Sequence, residues 1–192
     1  MVFHPSTLSP EATGPYLTMN KALSTSGLNV NEINHINVHG TATENNDLTE
    51  SIALKRIFGD SVPSFVSTKA NTGHTLGAAG AIEAVYSILN IQFQEIYPQI
   101  NFENAIIDTG LIPNLTYQKT EINHVMSNSF GFGGNCASLI FSKLWFKISF
   151  LITNLLNISQ IFSKSKFLML SNSDSGFFIL TSISHIKFFM SN

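Results

Sequence analysis

The sequence is poor in charge, cysteine and tryptophan. Of its 192 residues only 11% are charged, ten basic against twelve acidic, for a net charge of −2. No basic surface is there to neutralise a phosphate backbone, so nucleic acid is not an expected partner. The single cysteine, Cys136, excludes an internal disulfide and any thiolate zinc cluster, and it suits a reducing, cytoplasmic setting. The first residues, MVFHPSTLSPEATG, have neither the basic nor the apolar region of a secretory signal. No internal repeat is visible.

Mean hydropathy is nonetheless +0.18, and one segment accounts for it. From Leu144 onward the chain has no Ala, Val, Pro, Glu or Arg, and Asp174 is its sole acid. Residues 1–143 use a mixed alphabet with regular turn punctuation, so the composition breaks at that point. A membrane anchor over residues 144–162 is one explanation. Lys147, Asn154, Asn157 and Gln160 would then lie where polar groups are costly. A packed extension is another. The reading adopted is a translated artefact, A/T-rich DNA read out of frame or past a stop. Residues 1–143 are therefore expected to form the domain and 144–192 to lie outside the fold, with no membrane partner.

Within the first 143 residues the period of apolar positions alternates between helix and strand. Tyr16, Met19, Ala22 and Leu23 share a helical face over 11–26, and Gly27 is a stop. EINHINVHG alternates, with Ile36 and Val38 on one side and His35, Asn37 and His39 on the other, which predicts a strand ending at Gly40. NDLTESIALKRIFGD reads as a helix opened by a capping box of Asp47 and Glu50 and closed by Gly59. SFVSTKA predicts a second strand. GAAGAIEAVYSILNIQFQ predicts a long helix with Ile82, Val85, Leu89 and Phe93 on its apolar face. A loop rich in Pro and Asn follows over 95–120. Two final strands, HVMSNSF and CASLIFS, flank the turn GFGGN. The alternation predicts an α/β layer fold.

Several residues are candidates for chemistry. His39 ends a strand, either bonded to nearby backbone or aimed into the crevice where ligands of open α/β sheets sit. Gly40 allows a close approach, and Thr41 and Thr43 add hydroxyls. His74 lies in STKANTGHTLGAAG, between a strand and a glycine-rich helix start whose positive end favours a neutral imidazole. Such an imidazole can donate one N–H to a developing oxyanion. Lys69 is a surface lysine or a partner of that histidine; Glu50 or Glu83 could pair with it, and spacing does not decide which. NSFGFGGNC is no dinucleotide fingerprint, because no helix follows it. Its glycines can still leave backbone N–H groups free, and Phe130 and Phe132 are expected in the core. His39 and His74 have no zinc-ligand spacing.

VHGTAT at 38–43, STKANTGHTLGAAGAIE at 67–83 and NSFGFGGNC at 128–136, in this order, resemble the C-terminal half of a β-ketoacyl-[acyl carrier protein] synthase. The resemblance covers residues 1–143. It implies half of the thiolase-like αβαβα architecture and, for the intact enzyme, a decarboxylating Claisen condensation in fatty acid or polyketide synthesis. It further implies that His39 and His74 donate to the malonyl thioester oxygen and that Lys69 orients the second histidine, with Glu50 and Glu83 as accompanying carboxylates. Thr41 and Thr43 match contacts to the phosphopantetheine arm. Phe132, with Gly131 and Gly133, matches the acyl gate and oxyanion donor. The implied partners are acyl carrier protein, which brings the phosphopantetheine, and a second synthase chain; no cofactor is bound by the chain itself. Two departures accompany it. The family's nucleophilic cysteine belongs to the other half, and Cys136 stands where the family usually has asparagine. The expectation is a fragment inactive alone, with Met1 an internal start or a fragment boundary. The alternative is a non-catalytic, chain-length-factor-like partner that shapes an acyl pocket.

Overall fold

The computed structural model describes residue 4 and residues 6–144. The readings of the apolar tail concern residues beyond Leu144 and lie outside the described residues.

The first helix, α1 (Thr13–Ser26), buries Pro15, Met19 and Leu23, one residue per turn of a single face, and Gly27 ends it at φ 72° by donating its N–H to Leu23 O. There follow β1 (His35–Asn37), α2 (Glu44–Phe58), β2 (Ser64–Val66), the single turn α3 (Lys69–Thr72) and α4 (Ala79–Phe93). The chain closes with β3 (Glu95–Ile96), β4 (Gln118–Lys119), β5 (His124–Phe130) and β6 (Cys136–Ser142). One sheet has the order β2-β1-β5-β6. β1 is parallel to β2 and β5, while β6 runs antiparallel to β5 with Phe130 opposite Cys136. β3 and β4 form a separate two-stranded ladder.

Helices cover both faces of the sheet. Ile36, Val38 and Met126 meet Met19 and Leu23 of α1 and Ala53, Leu54 and Phe58 of α2 in the main core. On the other face Val125 joins Ile91, Ile96 and Ile122 in a smaller cluster. The α/β layering predicted from the alternation is present.

Four local expectations are corrected. α2 starts at Glu44, one turn earlier than the Asp47–Glu50 capping box required, and its cap position, Thr43, makes no side-chain cap. Glu50 is therefore free for another task. The second strand stops at Val66, and Lys69 opens a helical turn. The loop over 95–120 contains a short ladder. The largest correction concerns α4, whose buried residues are Ala79, Glu83, Ser87, Asn90 and Ile91. Its expected apolar face points outward, with Val85 and Phe93 both about half exposed. Periodicity finds the stripe correctly, but which stripe faces the sheet is decided by the polar groups that Glu83 and Asn90 must satisfy there.

His35 is fully buried at the start of β1, and neither ring nitrogen has a hydrogen-bond partner. Ser64, its register partner on β2, has a buried unpartnered hydroxyl as well. Burial is the dominant cause that pushes the His35 imidazole down to about 4.

Candidate active site

His39 lies just beyond the C-terminal end of β1, in the edge zone where open parallel sheets present ligand-binding groups. Its backbone is held by Glu50, which α2 projects from its second turn. Glu50 Oε1 accepts from the His39 N–H at 3.0 Å and Oε2 from the Gly40 N–H at 2.9 Å. Asn128 Nδ2 also donates to Oε1, at 3.1 Å. Burial pushes the Glu50 carboxyl up to about 7, against the pull of those donors and of the Lys69 charge. Gly40 adopts φ +39°, and a Cβ there would sit 2.6 Å from Ser67 Cβ. Only glycine lets the chain pass so close, and Ser67 Oγ then donates to Gly40 O at 2.7 Å.

Lys69 is buried, with 8% of its surface exposed. Its ammonium pairs with Glu83, so the choice that spacing left open falls to that carboxylate. Nζ also donates to His39 O at 2.5 Å and lies 3.2 Å from His39 Nδ1. An ammonium has three hydrogens and no lone pair, so these three acceptors use all of them. His39 Nδ1 must then be the acceptor, and the proton of the neutral ring sits on Nε2. Burial, and next the charges of Lys69 and His74, hold this imidazole down to about 3.

His74 has the same tautomer from a different donor. It is exposed, and its Nδ1 accepts the Leu76 N–H at 3.1 Å. Its Nε2 also carries the proton. The two rings stand edge to face, centroids 5.7 Å apart. Phe130 packs against His39 at 5.6 Å.

The remaining predicted residues separate into groups. Thr41 Oγ1 and Thr43 Oγ1 lie 2.9 Å apart. Thr41, with Glu50, Lys69 and His74, lines a cavity of about 360 Å³ to which Gln99 and Phe102 also contribute. Thr43 is not among the residues lining it. Phe130 is buried as expected, but Phe132 is 76% exposed in the turn Phe132–Gly134. Gly133 supplies φ 72° to that turn. The Gly131 N–H is bonded to Asn135 O at 2.8 Å and is not free to donate elsewhere. Among the described residues no three His, Cys, Asp or Glu side chains come together to hold a metal ion.

Sequence reasoning missed four polar residues. Ser67 holds the Gly40 carbonyl, Asn37 reaches Glu83 O at 3.4 Å, Asn128 holds Glu50, and Ser129 Oγ donates to Glu83 Oε2 at 3.1 Å. A signal for two of them was present. Strand alternation in HVMSNSF places Asn128 and Ser129 on opposite faces, one toward each carboxylate.

The family profile described as the C-terminal domain of β-ketoacyl synthases matches residues 2–103. The chain belongs to that family. It is 43% identical over 148 residues to the mitochondrial 3-oxoacyl-[acyl-carrier-protein] synthase of Arabidopsis thaliana, covering 73% of this chain and 32% of that one. A solved ketosynthase in complex with its chain length factor from Xenorhabdus doucetiae is similar at 41% identity and TM-score 0.68, over 74% of this chain and 36% of its own. A type II polyketide acyl carrier protein in complex with its ketosynthase matches at 31% identity and TM-score 0.70, over 74% and 36%. The β-ketoacyl synthase domain described here thus spans about a third of the length of the curated relative it matches. Its fold is thiolase-like and incomplete, as the resemblance implied.

The synthase domain has an unusual balance of buried titrating groups. Between pH 4.5 and 6.5 the unfolded chain takes protons on His35 and His39 that the folded one refuses, because the folded values are about 4 and about 3. Glu50 acts oppositely, since it holds a proton in the fold up to about 7 that the unfolded chain releases near 4.5. Two protons against one leaves a net excess of one on the unfolded state. Stability should therefore rise with pH across this window by about 1.4 kcal/mol per pH unit. His35→Leu is expected to flatten that rise, read as urea midpoints at successive pH values.

Proposed function

We propose that this domain carries the malonyl-activating part of a 3-oxoacyl-[acyl carrier protein] synthase of fatty acid or polyketide synthesis. The observation that supports it best is that both imidazoles are held as Nε2–H tautomers by donors on Nδ1, Lys69 in one and the Leu76 N–H in the other. When a malonyl thioester loses CO₂, the breaking C–C bond delivers its electron pair toward the thioester carbonyl, and negative charge gathers on that oxygen. Two fixed N–H donors that converge there stabilise the enolate without reorganising. The enolate carbon then attacks an acyl thioester, and the acylated thiol leaves as thiolate. His39 and His74 are the donors in this reading; Lys69 and Glu83 set the His39 tautomer, and Glu50 sets its backbone.

The cavity lined by Thr41 is where the pantetheine arm of a carrier protein would lie, with Thr43 at its approach. Phe132, exposed between Gly131 and Gly133, would gate the acyl side. The proposed partners are an acyl carrier protein and a second synthase chain, and the setting is a reducing one, cytoplasmic or organellar.

The nucleophile is assigned to a part of the synthase other than these residues. Cys136 is half-buried in β6, and burial, with Glu50 nearby, pushes its thiol up, which lowers the thiolate fraction. The 192-residue chain alone is expected to give no 3-oxoacyl product from acyl and malonyl carrier protein by mass spectrometry; product would refute this assignment. In a complete synthase bearing this domain, His74→Ala should abolish malonyl decarboxylation and leave acyl loading. Loss of loading with decarboxylation intact would overturn the role given to His74. A second reading, a non-catalytic partner subunit, is favoured by the likeness to a ketosynthase paired with its chain length factor. The tautomer-fixing Lys69 favours the first.

A further inference from the structure

β5 holds both carboxylates of the site from opposite sides of the sheet. Ser129 Oγ donates to Glu83 on the α4 side. Asn128, fully buried, donates to Glu50 Oε1 at 3.1 Å and to Met19 Sδ at 3.3 Å on the side of α1 and α2. The Asn128 amide is itself oriented from behind. Ser138, its register partner on β6, donates Oγ to Asn128 Oδ1 at 2.8 Å. With Oδ1 taken by a hydroxyl donor, the NH₂ must face Glu50.

We propose that Asn128 is a positioning residue for His39, acting through Glu50: its amide favours the ionised, accepting form of Glu50, and Glu50 in turn fixes the His39 and Gly40 N–H groups. The functional consequence rests on the reading of His39 as a donor to the thioester oxygen.

The three hydrogen bonds to the Glu50 carboxyl all come from donors: His39 N–H, Gly40 N–H and Asn128 Nδ2. A carboxylate satisfies all three, whereas a protonated carboxyl brings a fourth hydrogen into a ring of donors. Burial pulls the other way, toward the neutral acid. Of the three donors, Asn128 alone is a side chain and can be removed without touching the backbone that carries His39. The charged and titratable side chains acting on Glu50 are Lys69 at the start of α3, which favours ionisation, and the Cys136 thiol of β6, while His39 beyond β1 presents its backbone N–H. Asp47 of its own helix lines the same cavity. Without the amide, the acid hydrogen displaces one of the backbone donors, and the segment bearing His39 loses a fixed point.

The test is an NMR titration of the full 192-residue chain, with ¹³C-labelled glutamate carboxyls and ¹⁵N-labelled backbone. In the wild type the Glu50 carboxyl and the His39 and Gly40 amides should titrate together near pH 7. In Asn128→Ala that common midpoint should rise by about one pH unit, and in Asn128→Asp further, because a like charge then faces Glu50. Ser138→Ala should raise it by less, since the amide stays but is no longer oriented. A void alone would weaken folding and leave the midpoint in place. An unmoved midpoint in folded Asn128→Ala overturns the proposal; if that variant does not fold, an unmoved midpoint in Ser138→Ala does so. No substrate enters the titration, so failure of the malonyl chemistry does not alter its outcome. Equally, an unmoved midpoint leaves the donor role of His39 and His74 to its own test.

Discussion

Lys69→Met is expected to destabilise the domain by about 3–5 kcal/mol, the usual effect of stripping one partner from a buried ion pair. Glu83 is 2% exposed, and its remaining donor in the structure is the Ser129 hydroxyl. A neutral thioether in place of the ammonium leaves that carboxylate to take up a proton or draw in water. The same change removes the hydrogen that His39 Nδ1 accepts, so the ring is free to place its proton on either nitrogen. The two effects are separable. Glu83→Gln in the Lys69→Met background should restore much of the stability, because a neutral amide no longer demands a cation, and should leave the His39 tautomer mixed. Urea unfolding reads the first effect and ¹⁵N shifts of the imidazole read the second. A Lys69→Met chain as stable as wild type, with the single Nε2–H tautomer intact, would remove the basis for both roles.

The second large effect belongs to Gly40→Ala. The added methyl meets Ser67 Cβ at 2.6 Å and Ser67 Oγ at 2.8 Å, and these atoms are attached to β2's backbone extension rather than to a flexible tip. The residue also holds φ +39°, which costs a side-chain-bearing residue about 1–2 kcal/mol by itself. The clash cannot be relieved locally, because the Gly40 N–H is tied to Glu50 and its carbonyl to Ser67. The expected loss is about 3–4 kcal/mol of stability. Amide shifts of His39 and Thr41 should move more than those of α1. Ser67→Gly should partly rescue the double variant by clearing the space. No rescue would locate the penalty in the backbone angle alone.

Much of the fold was legible because the apolar period changes cleanly from one element to the next. α1 could be bounded by Met19, Leu23 and Gly27, and the strand pair β5–β6 by its flanking turn. Where reading by period failed, polar burial was the cause. α4 puts Glu83, Ser87 and Asn90 inward, since Glu83 must meet Lys69 and Asn90 Nδ2 donates to Glu95 O at 2.6 Å. Glu50 looked like a cap because Asp47 precedes it by three; its actual partners are eleven and ten residues upstream. Such partners are set by the crossing of α2 over β1, which no local window contains. Of the three motifs, the first two single out His39, Lys69 and His74 for the candidate site. The donors behind them, Asn128, Ser129 and Ser67, sit inside two of those motifs and were passed over because amides and hydroxyls carry no charge to draw the eye.

The outward stripe of α4 bears on the life of the polypeptide in the cell. Val85 and Phe93 of that stripe, eight residues apart and so on one side of the helix, are both about half exposed. Exposed apolar side chains of this kind are what holdases and quality-control proteases bind. A copy of this domain whose α4 stripe stays uncovered should therefore be a chaperone client, and its abundance should follow the supply of whatever covers that stripe. Pulse-chase half-life, rather than melting temperature, is the quantity in which that dependence would be read.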